Sequence, residues 1–320
     1  MDMYEIIFSF LVFPGGLFVL ALGLFLLGID RKVYARLQRR VGPPLYQPFV
    51  DVIKLLKKEM VIADTSHVGA FLLSELFGFS GMMVAIILIP ISGVFDGYGG
   101  FGDLVVILYL LSFPALSLML AGSSSSSPFG AVGFSREMVM MMAYEIPFLI
   151  VLVTVAFKVG MFIGDTPTFS LSEIVNFQIE HGSFLFDYTM IPAFIAFMIF
   201  IPGIIGVVPF DLAEAETEIL EGPILEYSGS GLALFNLMSA IKLVVVLGLG
   251  IALFFPAPMG DNFLLNLLGF FLKCLILMIF SITIVRASTG RMRIDQAFKY
   301  YLTIPTVLAL ISLGLTLFEI

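Results

Sequence analysis

Long apolar runs broken by short polar connections dominate the chain, at Ile7–Ile29, Val68–Ile91, Leu104–Gly122, Met138–Phe157, Ile191–Val208, Leu232–Phe255, Leu264–Val285 and Ile304–Phe318. Each is close to the roughly 20 residues that cross a hydrocarbon core as a helix. The pattern therefore predicts an all-α, polytopic membrane protein with about eight transmembrane helices, residues 1–320 forming one integral membrane domain. Pro90, Pro114, Pro147 and Pro202 fall in spans two to five, where each frees a backbone carbonyl and permits a kink. The first run lacks a basic leader and a small-residue cleavage site, so it reads as a retained helix. No internal repeat is visible, and Ser123–Ser127 reads as a short flexible connection.

Composition sharpens this picture. Hydrophobic residues make up 60% and charged residues 12%, against about a quarter charged in soluble domains. One cysteine and two histidines cannot build an iron–sulfur cluster, a structural zinc site or a bis-histidine haem site. Redox chemistry, if any, must therefore reside on a partner.

Basic residues cluster in odd-numbered loops. The first, residues 30–66, carries Arg31, Lys32, Arg36, Arg39, Arg40, Lys54, Lys57 and Lys58; the third carries Arg136; the seventh carries Arg286, Arg291, Arg293 and Lys299. The even loops hold only Lys158. By the positive-inside rule the odd loops are cytoplasmic and both termini outside, in a plasma membrane. Within the first loop, Phe49, Val50, Ile53, Leu55 and Leu56 alternate with Asp51, Lys54, Lys57, Lys58 and Glu59. That amphipathic helix suits either an anionic lipid surface or a cytoplasmic partner.

The fifth loop, residues 209–231, breaks the charge pattern with six acids and no base. If Leu212–Leu220 is helical, Asp211, Glu214, Glu218 and Glu221 share one face and Glu216 lies opposite. Crowded, partly dry carboxylates retain protons, because like charge and desolvation both raise their pKa values. Glu75, Glu145, Lys242 and Lys273 sit inside apolar spans, where each charge costs at least about 2.5 kcal/mol unless paired or hydrated. The plain alternatives are a solvated acidic loop and a buried Lys–Glu pair that only fixes packing.

Together these stretches resemble a known family. PFDLAEAETEILEGPILEYSG is similar, at Pro209, Phe210, Asp211, Leu212, Glu214, Glu216, Glu218, Gly222, Glu226 and Tyr227, to the acidic loop of the complex I membrane subunit called subunit one or H. DRKVYARLQRRVGP matches at Arg31, Lys32, Gln38, Arg40, Gly42 and Pro43, and QPFVDVIKLLKKE resembles the segment that follows. Arg136, Tyr144 and Glu145 fit a further motif, as do Arg286, Arg293, Asp295 and Gln296 in the last loop. The resemblance implies an anchor for a peripheral redox arm and a carboxylate proton path through Glu75, Glu145, Asp211, Glu214, Glu216, Glu218, Glu221, Glu226, Lys242 and Lys273. It implies docking through Arg31, Arg36, Arg39, Arg40, Asp51, Lys54, Lys58, Arg136, Arg286, Arg291, Arg293 and Asp295.

Departures from the quinone-reducing members are informative. The Pro44–Gln47 connection is short; Ile204, Ile205, Gly206 and Val207 replace an acid- and arginine-bearing segment; Met140 stands where the family has glutamine. They point to the membrane-bound nickel–iron hydrogenase and ferredoxin-linked branch. That branch implies a non-catalytic subunit with no cofactor and no metal of its own, the nickel–iron centre and iron–sulfur clusters lying on partners. Those partners would be hydrogenase-like large and small subunits, antiporter-like membrane subunits and the lipid bilayer, with no nucleic acid. A quinone-reducing complex I subunit and a free-standing ion transporter are the alternatives, the latter disfavoured by the missing repeat.

Overall fold

The computed structural model describes residues 3–98, 103–163 and 166–318. The chain is an all-α membrane protein. α1 (Met3–Leu11) and α2 (Gly16–Leu37) share the first apolar run; α3 (Gln47–Leu56) follows in the basic loop; α4 (Val68–Leu88), α5 (Leu104–Ser124) and α6 (Pro128–Ile163) come next. Then follow α7 (Leu171–His181), α8 (Ile191–Ile205), the single turn α9 (Glu216–Ile219), α10 (Gly229–Phe254), α11 (Phe263–Met278), α12 (Ile284–Ser288) and α13 (Ile294–Phe318).

Among the described residues seven helical segments are long and apolar enough to cross a membrane. The fifth expected span is shorter than read: α8 has 15 residues, about 22 Å of rise, against a core of about 30 Å. The first span is interrupted where Pro14 and Gly15 fall between α1 and α2. Pro114, Pro147 and Pro202 lie inside helices as expected, whereas Pro90 follows the end of α4.

α10 is the axis of the bundle. Every residue from Ala240 to Phe254 is buried, because α2, α4, α8 and α11 pack around it. A helix apolar on all sides has no lipid-facing stripe and belongs in the interior. Gly23 of α2 meets it backbone to backbone: an added Cβ would lie 2.3 Å from the Ala240 carbonyl oxygen.

Loops gather at two ends. At the basic end, Met292 N–H donates to Pro209 O at 3.1 Å, Val61 N–H to Ser228 Oγ at 3.0 Å and His67 N–H to Ser124 O at 3.1 Å. At the opposite end Lys158 pairs with Asp187 at 2.9 Å.

Candidate functional site

The expected helix over 212–220 does not form. Leu220 and Glu221 adopt left-handed φ of 50° and 69°, and only Glu216–Ile219 makes a helical turn. The cause is packing: Phe210, Leu212, Ala213, Ala215 and Ile219 are all buried, and they follow the bundle's end surface more closely in an irregular path than one helical face would allow. The shared face of Asp211, Glu214, Glu218 and Glu221 is thereby dissolved.

Each acid finds its own environment. Arg291 clasps both Asp211 oxygens, Nε to Oδ1 at 2.8 Å and Nη2 to Oδ2 at 2.6 Å, and also donates to Thr217 Oγ1. Arg136 Nη1 meets Glu218 Oε2 at 2.6 Å and donates to the Leu212 carbonyl at 3.3 Å. Glu216, Glu221 and Glu226 are exposed. Two arginines read as docking residues thus strap the acidic loop to its own bundle.

Glu214 turns inward. With Asp211 at the rim, it borders a cavity of about 30 Å³ together with Glu137, Met140, Ser239 and Lys242, a space with room for one or two water molecules. Burial pushes the Glu214 carboxyl up to about 7; Glu137 adds to the rise, Lys242 opposes it, and Glu221 and Asp211 reinforce it. Lys242, 6% exposed, sits on α10 and lines the same space as the carboxyl groups of Glu137 and Glu214, whose negative charge attracts its ammonium. Two acids, one base and a water-sized space form a group that can hold and pass a proton.

Glu137 has no place in the apolar-run pattern. The expected fourth span began at Met138, but Pro128 starts the helix ten residues earlier. A proline at the first helical position ahead of an unbroken apolar pattern was the available signal. Glu137 and Tyr144 are seven residues apart on α6, which puts both on its inner face. Tyr144 packs edge-on against Tyr301, ring centroids 6.5 Å apart, and Tyr301 donates to the Ile199 carbonyl at 2.9 Å.

Other expected residues lie outside this cluster. Glu75 is 4% exposed on α4, and its Oε2 has no hydrogen-bond partner. Gly231 leaves it room, since a Cβ there would lie 2.2 Å from that oxygen. Beside it Ser74 and Tyr227 share a 2.8 Å hydrogen bond. Glu145 accepts from Ser112 Oγ at 2.6 Å on the outer side of α5 and α6. Lys273 leaves the proton group altogether: its Nζ donates to the Phe255 and Ala257 carbonyls at 2.9 and 2.6 Å. Those carbonyls lie just past the end of α10, about 18 Å of helix rise beyond Lys242, so Lys273 ties down the C-terminal end of that helix.

The basic residues also divide. Asp30, 5% exposed, accepts from Thr283 Oγ1 at 2.6 Å and from Arg286 Nη1 at 3.3 Å. A π-helical turn over Ile279–Thr283 rotates α12 relative to α11 at this contact. Arg286 stacks 4.4 Å above the Tyr34 ring, and Arg31 pairs with Asp51 at 3.1 Å. Arg31, Tyr34, Arg40 and Arg286 line an open groove of about 540 Å³. Arg36, Arg39, Lys54, Lys58, Arg293 and Asp295 are exposed. Among the described residues no group of three or more His, Cys, Asp or Glu could hold a metal ion.

Known proteins agree with this architecture. The family profile described as NADH dehydrogenase matches residues 10–317. Hydrogenase-4 component C of Escherichia coli K12 is 36% identical over 72% of this chain and 70% of its own length. The H subunit of the NADH-quinone oxidoreductase of Dehalococcoides mccartyi strain 195 is 33% identical over 95% of this chain and 84% of its own. Formate hydrogenlyase subunit 4 of Escherichia coli K12 is 32% identical over 84% of this chain and 86% of its own. Among solved structures, a chain of the membrane-bound sulfane sulfur reductase, an archaeal respiratory membrane complex, superposes with a TM-score of 0.84 at 28% identity, covering 93% of this chain and 96% of that one.

Proposed function

The chain belongs to the NADH dehydrogenase family of membrane subunits, and on that premise we propose that it is the anchoring and proton-path subunit of a multisubunit, ion-translocating oxidoreductase. The hydrogenase and sulfane sulfur reductase relatives favour a complex whose electron acceptor is reduced on a peripheral arm. That arm carries the nickel–iron and iron–sulfur chemistry; this chain's one cysteine, Cys274, is buried and supplies no cluster ligands. The arm sits on the basic end, where the groove lined by Arg31, Arg40 and Arg286 offers planar, multidentate donors to acidic segments. In this orientation the basic end is cytoplasmic and the membrane is the cell membrane.

The observation that carries the reading is the cavity shared by Glu137, Glu214 and Lys242, at the junction of the acidic loop with the core helices. A redox event that shifts the loop changes the field on Glu214, and the proton it releases has buried acceptors beside it. At about 30 Å³ the cavity is far below the roughly 300 Å³ and more of small-molecule pockets. Water and protons fit it and a quinone headgroup does not, in keeping with Met140 and the Ile204–Val207 segment. Glu145 continues the path at the bundle's lateral surface, towards antiporter-like subunits.

Glu137→Gln keeps size and hydrogen bonding and deletes the titratable proton. In the assembled complex it should leave electron transfer to soluble dyes near wild type and reduce ion pumping at least about tenfold. Wild-type ion-to-electron stoichiometry in this variant would move the path elsewhere.

A further inference from the structure

The outward face of α3 mixes exposed aliphatic side chains with lysines. Ile53 and Leu56 are 53% and 54% exposed, and Lys54, Lys57 and Lys58 beside them are exposed as well. On a helical projection Val50, Ile53, Lys54 and Lys57 share one side, with Pro48 and Val52 opposite. The inner side is anchored: Val52 packs with Leu24 of α2 and Ala240 of α10, with Phe49, Leu27 and Leu237 closing the cluster. Leu24 lies six residues inside the buried Asp30, about 9 Å deeper along α2. The contact therefore holds α3 flush against the side of the bundle, where apolar span gives way to polar end.

We propose that α3 is a lipid-binding element, its outer face seated among the headgroups of anionic phospholipid. Ile53 and Val50 enter the acyl boundary, and Lys54, Lys57 and Lys58 meet headgroup phosphates. Charge complementarity is specific to this face. Asp51 is already paired with Arg31, which leaves Glu59 as the one acid against three lysines along the segment. Lysines on flexible stems suit a fluid layer of phosphates, each adding attraction near an anionic surface, whereas the fixed arginine forks of the neighbouring groove suit a structured protein partner. The basic loop thus serves two surfaces, lysines towards lipid and arginines towards the arm. The proposal stands apart from the redox reading, since a lipid-seated helix is equally possible in a complex with another task.

The test uses the complete complex with Ile53 of this chain replaced by a genetically encoded environment-sensitive fluorescent amino acid, which leaves buried Cys274 and the cysteines of the iron–sulfur subunits untouched. The complex is reconstituted in phosphatidylcholine vesicles doped with phosphatidylglycerol or phosphatidylcholine bearing a nitroxide near the headgroup. Expected are blue-shifted emission and quenching by both lipids, about twofold stronger or more for phosphatidylglycerol. A Lys54→Gln, Lys57→Gln, Lys58→Gln variant should bring that ratio to one while the peripheral subunits stay bound. Absence of quenching, quenching that emerges only after the peripheral arm is stripped, or equal quenching by the two lipids in the unaltered loop overturns the proposal.

Discussion

Glu214 is where a single residue carries the most chemistry. Its folded value of about 7 lies above the reference of 4.5, so between those values the folded state holds a proton that the unfolded chain releases. Stability contributed through this group is therefore intact at low pH, falls as pH rises from about 4.5 to about 7, and stays reduced above that. The cost at pH 8 is on the order of 3 kcal/mol. Glu214→Gln removes the titration, so thermal melting of the purified complex should lose less between pH 5 and pH 8 than wild type does. An unchanged pH dependence would assign the destabilising charge to another group. Asp30 and Glu137 show why the residue level was only half legible. Both stand at the edges of apolar runs, beside Arg31 and Arg136, and a charged dipeptide there reads as the start of a loop. Burial is a tertiary fact, set for Asp30 by Thr283 and Arg286, more than 250 residues away in sequence.

At the scale of elements, apolar length and the proline–glycine punctuation were enough to locate the spans, because hydrophobic thickness constrains a helix regardless of its neighbours. The amphipathic helix after Gly42-Pro43-Pro44 was equally readable from its period. The acidic loop was not, since its acids do recur at helical spacing and the deciding contacts lie on other helices. Arg291 from the α12–α13 connection and Arg136 from α6 hold the loop in a shape that no local propensity encodes. Asp211→Asn leaves Arg291 without its bidentate partner in a half-buried setting, at a cost of about 1–3 kcal/mol. The loop should loosen as a unit, with limited proteolysis cutting within residues 212–228 several-fold faster while the transmembrane helices remain protected. Equal cleavage rates would show that apolar packing of Phe210, Leu212 and Ile219 suffices to hold it.

For the molecule as a whole, the outer side of α5 and α6 is the surface that a lipid bilayer alone does not explain. Val105, Tyr109 and Leu116 on α5 and Met138, Met142 and Leu149 on α6 are exposed, each set forming a stripe at three- and four-residue spacing. Ser112 and Glu145 interrupt these stripes at the same height. Pro114 and Pro147 lie two residues beyond them, each depriving a carbonyl one turn earlier of its helical donor. A carboxylate and a hydroxyl facing acyl chains would be costly, so this face fits a neighbouring membrane subunit that supplies donors or water. Two separable outcomes follow. Glu145→Gln retains the hydrogen bond to Ser112 and should assemble normally, with dye-linked redox activity near wild type and ion pumping reduced about tenfold or more. Met142→Trp adds bulk on the same stripe without touching a titratable group, and should weaken retention of the membrane partners on native gels while the peripheral subunits remain attached. If Glu145→Gln pumps at the wild-type ratio and Met142→Trp leaves the membrane arm bound, the stripe faces lipid and Glu145 is a packing residue hydrogen-bonded to Ser112.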